Sequence, residues 1–301
     1  MDRLDAMSLL LAVVDAGSLS SASRRLGTPL ATVSRKIADL ETHLKTRLLN
    51  RTSRKISLTE AGQSYVEACK RILEQVDEAE RAAAGEYSVP KGDLTITAPV
   101  VFGRLHVLPV AIAFLKAYPD IDLRLVLADR LINLMEDHVD LAVRIGTLPD
   151  SGLIAARVGS IRRVVCGSPS YFAQRGRPET PEELTGHDCI TYGELTSSKT
   201  WRFISGKDEA IVPVHSRLIV NTAEAAIDAA VAGLGITRVL SYQVAAARSA
   251  GSLEIALEAF EPAPWPVNLV YVGQGLLPLK LRAFLDFAVP RLKARLIEQS
   301  K

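Results

Sequence analysis

The chain has 301 residues, 48% hydrophobic and 23% charged, with a net charge of +2. That balance describes a soluble globular protein with two domains and ample apolar content for their cores. The apolar run 9–14 is too short to span a bilayer and follows Asp2 and Asp5, so neither a signal peptide nor a membrane helix is expected. Cys69, Cys166 and Cys189 are too scattered for a disulfide framework or a zinc site. Buried, inert thiols are expected, with a redox-sensing thiol as the alternative.

At the start, Leu4, Met7, Leu11 and Val14 recur at helical spacing and predict an amphipathic helix ending at Gly17. From Ser20 to Leu44 the pattern is a short helix, a tight turn and a longer helix. Leu19, Ala22 and Leu26 face inward in the first, and Gly27 supplies the permissive backbone that ends it. Thr28 stands where it would cap the next helix, with Pro29 at the first position. Leu30, Val33, Ile37, Leu40 and Leu44 then make an apolar stripe. Thr28, Ala31, Arg35, Ala38 and Thr42 share the opposite face, flanked by Thr32, Ser34 and Lys36. Its small residues permit close approach, so this helix suits the major groove, with Arg35 reaching guanine or phosphate. On this stretch alone, an ordinary helical hairpin with a solvated outer face reads the same. Charge favours the first reading. Residues 21–58 hold nine basic side chains against Asp39 and Glu41, a net of +7 in a chain of +2, which is the footprint of a phosphate-binding surface.

Residues 48–49 and 56–58 are short strand candidates around a basic tip with Arg51, Arg54 and Lys55. That is the form of a wing for phosphate or minor-groove contact. Thr59 is placed to cap a helix running to about Ala84, with Glu60 in its first turn. Tyr65, Cys69, Ile72, Val76, Ala79 and Ala83 step by 4, 3, 4, 3 and 4. This heptad repeat predicts a seam with a second chain; packing on the helix's own domain is the alternative. Residues 85–92 read as a hinge.

Beyond Asp93 strands and helices alternate: a strand at 94–98, a helix at 103–117, a strand at 121–127, a short helix at 131–137 and a strand at 141–145. This βαβαβ pattern predicts a parallel sheet. A second unit begins near residue 163 and includes a helix at 223–232 and a strand from Ile236. Gly233 and Gly235 follow a helix rather than a strand, so they read as cap and turn rather than as a dinucleotide fingerprint. Residues 267–272 return to the first sheet and 279–289 close it. Two such lobes leave a cleft at the strand ends. His43, His106, His138, His187 and His215 are scattered, and no serine elbow, P-loop or zinc motif is present, so no enzyme and no cofactor are expected. A solute-binding transport protein would share the cleft but not the basic helix-turn-helix.

Two sets of motifs carry a family resemblance. The first is Ala22, Leu26, Val33-Ser34-Arg35, Ile37, Leu40-Glu41, Leu48, Arg51 and Leu58-Thr59-Glu60-Ala61-Gly62. The second is GDLTITAPVVFGR from Gly92, FLKAYPDIDLRL from Phe114, DSGLIAARVG from Asp150, SPSYF from Ser168, WRF from Trp201 and AGLGI from Ala232. Over essentially the whole chain they resemble the LysR-type transcriptional regulators. The resemblance implies an α/β protein with an N-terminal winged helix-turn-helix (1–59), a long linker helix and hinge (60–90) and a C-terminal two-lobed periplasmic-binding-protein-like domain (91–301). Lobe I would hold about 91–160 and 267–301, and lobe II about 161–266. The implied partners are double-stranded promoter DNA, a small-molecule effector and further copies of the chain, as homodimer or homotetramer. The implied location is the cytoplasm, with no membrane contact.

Residues matching the DNA-binding surface are Ser20, Arg24, Thr28, Leu30, Ala31, Thr32, Ser34, Arg35, Lys36, Arg51 and Arg54. Those matching the effector pocket are Pro99, Val100, Val101, Phe102, Arg144, Ile145, Gly146, Asn221 and Thr222; turn and sheet packing is their alternative role. Two departures stand out. Pro29-Leu30-Ala31 replaces the Ser-Gln-Pro type of entry to the recognition helix. Pro99-Val100-Val101 replaces the hydroxyl residues that often hold an anionic inducer. Backbone N–H groups at the following helix start remain for an anion, and a less polar effector is equally open.

Overall fold

The computed structural model describes residues 2–51, 56–83, 89–130, 132–149, 152–193, 200–206, 208–273 and 277–298. The chain divides into two units, Met1–Val89 and Pro90–Lys301.

In the first unit α1 (Arg3–Ala16), α2 (Leu19–Leu26) and α3 (Leu30–Leu44) precede a two-stranded antiparallel wing, β1 (Leu49–Arg51) and β2 (Ile56–Leu58), and then α4 (Glu60–Ala83). The core closes on Ala6, Leu10, Val13, Ala22, Val33, Ile37 and Leu40, all without exposed surface. The α1 face is offset from the expected stripe. Ala6, Leu9, Leu10 and Val13 are buried, Met7, Leu11 and Val14 are half-buried, and Leu4 is exposed. The reason is that α2, α3 and α4 all pack on α1, so its core face is wider than a single stripe and centred one residue away.

Leu26 and Leu30 are also exposed, at 42% and 46%. They flank the left-handed Gly27 (φ 61°), and the turn carries both helix ends away from the core. Thr28 is not the cap. Helix α3 starts at Leu30 with Pro29 at the capping position and no side-chain cap bond. The Thr28 hydroxyl donates to the Leu26 carbonyl at 3.4 Å, and its own carbonyl accepts from the Ser23 hydroxyl at 2.6 Å. Proline's preset φ and its carbonyl, which accepts from Thr32 and Val33, organise the entry instead.

The wing begins one residue later than expected because Leu48 is an anchor. Its N–H, with that of Leu49, donates to Glu41 Oε1 at 2.9 and 3.1 Å. Its carbonyl accepts from the Thr59 N–H at 3.0 Å. Thr59 does cap α4: its hydroxyl accepts from Gly62 N–H at 2.9 Å and donates to the Arg47 carbonyl at 2.7 Å. The wing tip, Arg54 and Lys55 included, and hinge residues 84–88 lie outside the described residues, as does the side chain of Arg51.

The second unit contains β3 (Gly92–Ala98), a helical run over 100–117, β4 (Ile121–Leu127), β5 (Leu141–Ile145), β6 (Leu153–Ile161), β7 (Arg163–Gly167), β8 (Asp188–Tyr192), β9 (Thr200–Ser205), β10 (Asp208–Pro213), β11 (His215–Val220), β12 (Ile236–Leu240), β13 (Glu254–Ala256) and β14 (Trp265–Val272). Lobe I is the sheet β4-β3-β5-β14-β6, with β3 parallel to both neighbours and β14 antiparallel to both of its own. Lobe II is the sheet β11-β8-β12-β7-β13, parallel only across β11, β8 and β12, with β9 and β10 paired as a hairpin beside it.

Three expectations are corrected in lobe I. The expected helix at 131–137 is a set of turns. The Asn133 and Asp137 carboxamide and carboxylate take the N–H groups of Met135 and Asn133, which competes with helix formation; Leu131 lies outside the described residues. The helix after β3 begins at Val100, not Gly103, and widens into a π-turn over Gly103–Val107. The closing helix runs from Leu279 to Glu298 through Pro290, beyond the expected 289. The run 100–117 is long and apolar enough to cross a membrane, yet Val101, Phe102, Val107, Val110, Ala111 and Phe114 are buried in the lobe I core.

A single residue, Arg162, separates β6 from β7. Its guanidinium pairs with Glu258 and Glu261, both at 3.6 Å, on the chain returning towards β14. Its carbonyl accepts from the Ser241 N–H at 2.9 Å, where β12 passes into the next helix.

Candidate nucleic-acid interface and effector cleft

On the first unit, Ser20, Arg24, Leu30, Ala31 and Arg35 are exposed, and Thr28, Thr32 and Ser34 are half-buried. Ser18 caps α2 by accepting from the Ser21 N–H at 3.1 Å, and Arg24 reaches the Ser21 hydroxyl at 3.4 Å. Among the described residues no acid pairs with Arg35, whereas Lys36 is drawn back onto Asp5 at 2.5 Å. Arg35 is therefore the cation left to project from the middle of the exposed α3 face. A groove of about 930 Å³ between α3 and β1, lined in part by Thr42, Lys45, Arg47 and Asn50, extends this basic surface. Sequence reasoning missed that groove, because it is made by two elements rather than one.

Along α4 the expected seam divides. Cys69 is fully buried, and Tyr65 packs beside it against the core of its own unit. Both are corrected from seam to core, since α1 covers that end of α4. Ile72 and Ala79 are exposed and Val76 half-buried; the Ala83 side chain is outside the described set. Burial raises the Cys69 thiol and pushes Cys166 and Cys189 up to about 12, so all three stay protonated at neutral pH.

The effector residues are only partly brought together on an open face. Val101 and Phe102 are buried in lobe I. Arg144 is spent within the lobe: its Nη2 donates to the Ile132 carbonyl. Ile145 is half-buried in β5, and Gly146 turns beside Trp265 with φ 110°. Pro99 and Val100 are half-buried, Asn221 is exposed, and Thr222 caps the helix Ala223–Val231 by accepting from Ala225 N–H at 3.3 Å. Most decisive is Val100. Its N–H, a donor expected to be free for an anion, bonds Asp129 Oδ1 at 3.0 Å.

A cluster not visible in the sequence faces these residues. Tyr242 packs edge-on to Phe102 at 5.5 Å. Burial raises the phenols of Tyr192 and Tyr242, and the charges of Asp129 from lobe I and Glu224 from lobe II raise both further. The two helix starts thus look onto one tyrosine pair with an acidic rim. Beyond Tyr192 lies a cavity of about 430 Å³ lined by Arg163, Trp201, Arg202, Arg238, Leu240 and Trp265, among others.

Behind Phe102, His106 sits in the π-turn, 4.7 Å from that ring and 5.5 Å from Tyr242, with neither nitrogen partnered among the described residues. Burial, aided by the charge of Arg295, lowers its pKa from 6.5 to about 4. The unfolded chain therefore binds a proton that the folded chain refuses. Stability should fall as pH drops from about 6.5 to about 4, by up to about 3 kcal/mol. Urea unfolding of His106→Leu across that range is expected to show a flatter acid limb; an unaltered limb would place the acid-sensitive group elsewhere.

A winged module with a basic helix, in one chain with a two-lobed α/β domain and its cleft, defines a ligand-responsive DNA-binding regulator. Residues 4–63 match the bacterial regulatory helix-turn-helix protein, lysR family, and residues 88–293 match the LysR substrate binding domain. The chain belongs to the LysR family of transcriptional regulators. Such a protein binds promoter DNA, takes a small-molecule effector in the C-terminal domain and works as an oligomer. The chain is 35% identical, over 96% of its length and 92% of the relative's, to the HTH-type transcriptional repressor PA14_22550 of Pseudomonas aeruginosa (strain UCBPP-PA14). It is similar to the structure of CrgA, a LysR-type regulator from Neisseria meningitidis, with 33% identity, a TM-score of 0.61 and coverage of 96% of this chain and 98% of that one. The full-length Vibrio cholerae virulence activator AphB gives 29% identity, a TM-score of 0.61 and coverage of 95% and 98%.

Proposed function

We propose that α3 reads the major groove through Arg35, with Ser20, Arg24, Leu30, Ala31, Thr32 and Ser34 around it and the wing on the backbone. The observation that carries this reading is Arg35, unpaired among the described residues, on an exposed face of small residues within the most basic segment of the chain. Division of labour follows as 1–59 for DNA, 60–90 for dimerisation and 91–301 for the effector, the second copy docking along Ile72, Val76, Ala79 and Ala83. The protein acts by binding in the cytoplasm, where promoter DNA is, and not by catalysis. An effector between the lobes shifts promoter occupancy through its differential affinity for two lobe arrangements.

Arg35→Ala is expected to lose about 1–3 kcal/mol of affinity for the operator recovered from genomic fragments by the protein itself. On a scrambled duplex the loss should be much smaller. Arg24→Ala should weaken both duplexes alike and reduce the salt slope by about one phosphate. Titrations on both duplexes at several salt concentrations separate the roles. Equal losses for Arg35→Ala would make it a backbone contact.

A further inference from the structure

Arg163 and Arg238 are 75 residues apart in the chain and meet on one face of the lobe II sheet. In the antiparallel pairing of β12 with β7, Arg238 lies opposite Val165 and Leu240 opposite Arg163, which makes the two arginines diagonal neighbours. Each guanidinium already lies on an aromatic ring, Arg163 over Trp265 at 4.1 Å and Arg238 over Phe203 at 4.9 Å. Their planes are thereby fixed, and both residues line one cavity. Arg163 Nε and Arg238 Nε and Nη2 are shut off from solvent and have no hydrogen-bond partner among the described residues. No acid among those residues forms an ion pair with either one. Glu261, whose charge reaches Arg238, is paired with Arg162, and Arg202 at the rim is paired with Glu209 at 3.4 Å. Two desolvated, like-charged guanidinium groups beside a 430 Å³ cavity are costly unless something anionic completes them.

The rest of the lining offers apolar walls in Trp201, Trp265, Ile211, Val239 and Leu240, with Thr191, Tyr192, Thr200 and Arg202 as polar neighbours. The opposite end of the cleft repels an anion, since the Asp129 carboxylate already occupies the helix start at Val100 and Glu224 lies on the same rim. We infer that this chain binds an aromatic carboxylate, its carboxylate on the N–H edges of Arg163 and Arg238 and its ring between Trp201 and Trp265. This inference rests on the effector reading above and moves the anion's seat from the lobe I helix start to the lobe II sheet. Planar guanidinium edges match a carboxylate in two-pronged geometry, and the apolar walls take the ring.

The chain has two tryptophans, and both line this cavity, so its intrinsic fluorescence reports on the site directly. Benzoate titrated into the full-length protein is expected to quench that fluorescence saturably, and benzamide, its neutral counterpart, to bind roughly tenfold or more weakly. Arg163→Gln and Arg238→Gln should each weaken benzoate by roughly tenfold or more. Arg238→Lys should restore only part of the loss, and operator binding without ligand should be retained as the check on folding. Val100→Phe, which fills the helix-start seat, should leave benzoate affinity within about twofold. Loss of binding in Val100→Phe with retention in both glutamine variants would overturn the inference while leaving an effector cleft in place. Equal affinity for benzoate and benzamide, or no saturable quenching by benzoate, would overturn it outright.

Discussion

Ile72→Asp together with Val76→Asp is expected to convert the protein from a dimer to a monomer and to cost it most of its operator affinity. On α4 these are two of the apolar positions that the core of their own unit leaves uncovered, Ile72 exposed and Val76 half-buried. In a paired α4 seam the double variant would place four carboxylates in one interface, each costing several kcal/mol unless it neutralises or escapes to water. Separation removes that cost at once. Two recognition helices about 34 Å apart then no longer share one binding event, and affinity should fall by roughly a hundredfold or more. Sedimentation of variant and native protein at matched concentration, followed by operator titration, decides the matter. A dimer that survives would move the interface off this face of α4.

Gly62→Ala is expected to unfold the DNA-binding module at temperatures where the effector domain stays folded. A β-carbon at Gly62 would stand 2.0 Å from the Leu48 carbonyl oxygen. That oxygen cannot yield, because Leu48 is held through its own N–H by Glu41 and through its carbonyl by Thr59. Either α4 shifts off the wing or the clamp opens, and about 3 kcal/mol or more of the module's stability should go. Gly27→Ala is the useful contrast: nothing lies within 4 Å of its β-carbon, and the left-handed φ alone should cost about 1 kcal/mol. Calorimetry that resolves two transitions reads both variants. Similar small losses would mean that the Leu48 backbone is more yielding than its bonds indicate.

The parts legible from the sequence were those whose signal is local. Val33, Ile37 and Leu40 announced α3 because a helix buries one stripe, and Thr59 announced the start of α4 because a cap acts within three residues. Leu26 and Leu30 misled because hydrophobicity does not say which end of a stripe a turn will lift into solvent. Tyr65 and Cys69 fitted a heptad equally well as seam or as core, and only the packing of α1 on that end of α4 separates the two. The effector site was the least legible. Asp129 reads as an ordinary loop acid until β4 brings it to Val100. Arg163 and Arg238 carry no mark in the sequence until β12 pairs with β7. A site built by register between distant strands has no spacing in the chain to betray it.

Arg162 gives the sensor domain a mechanical axis. One lobe hands over to the other there across a single residue, and the same residue is bound through Glu258 and Glu261 to the return crossing and through its carbonyl to the Ser241 N–H at the end of β12. Rotation of the lobes is expected to concentrate on that line, because the two crossings are bound to each other there. Arg163 and Trp265 stand at the first positions of the strands leaving it, so a molecule gripping both works on the shortest lever in the domain. A turn of a few degrees at the axis carries a surface roughly 20 Å away through about 1 Å, enough to change how two neighbouring copies meet.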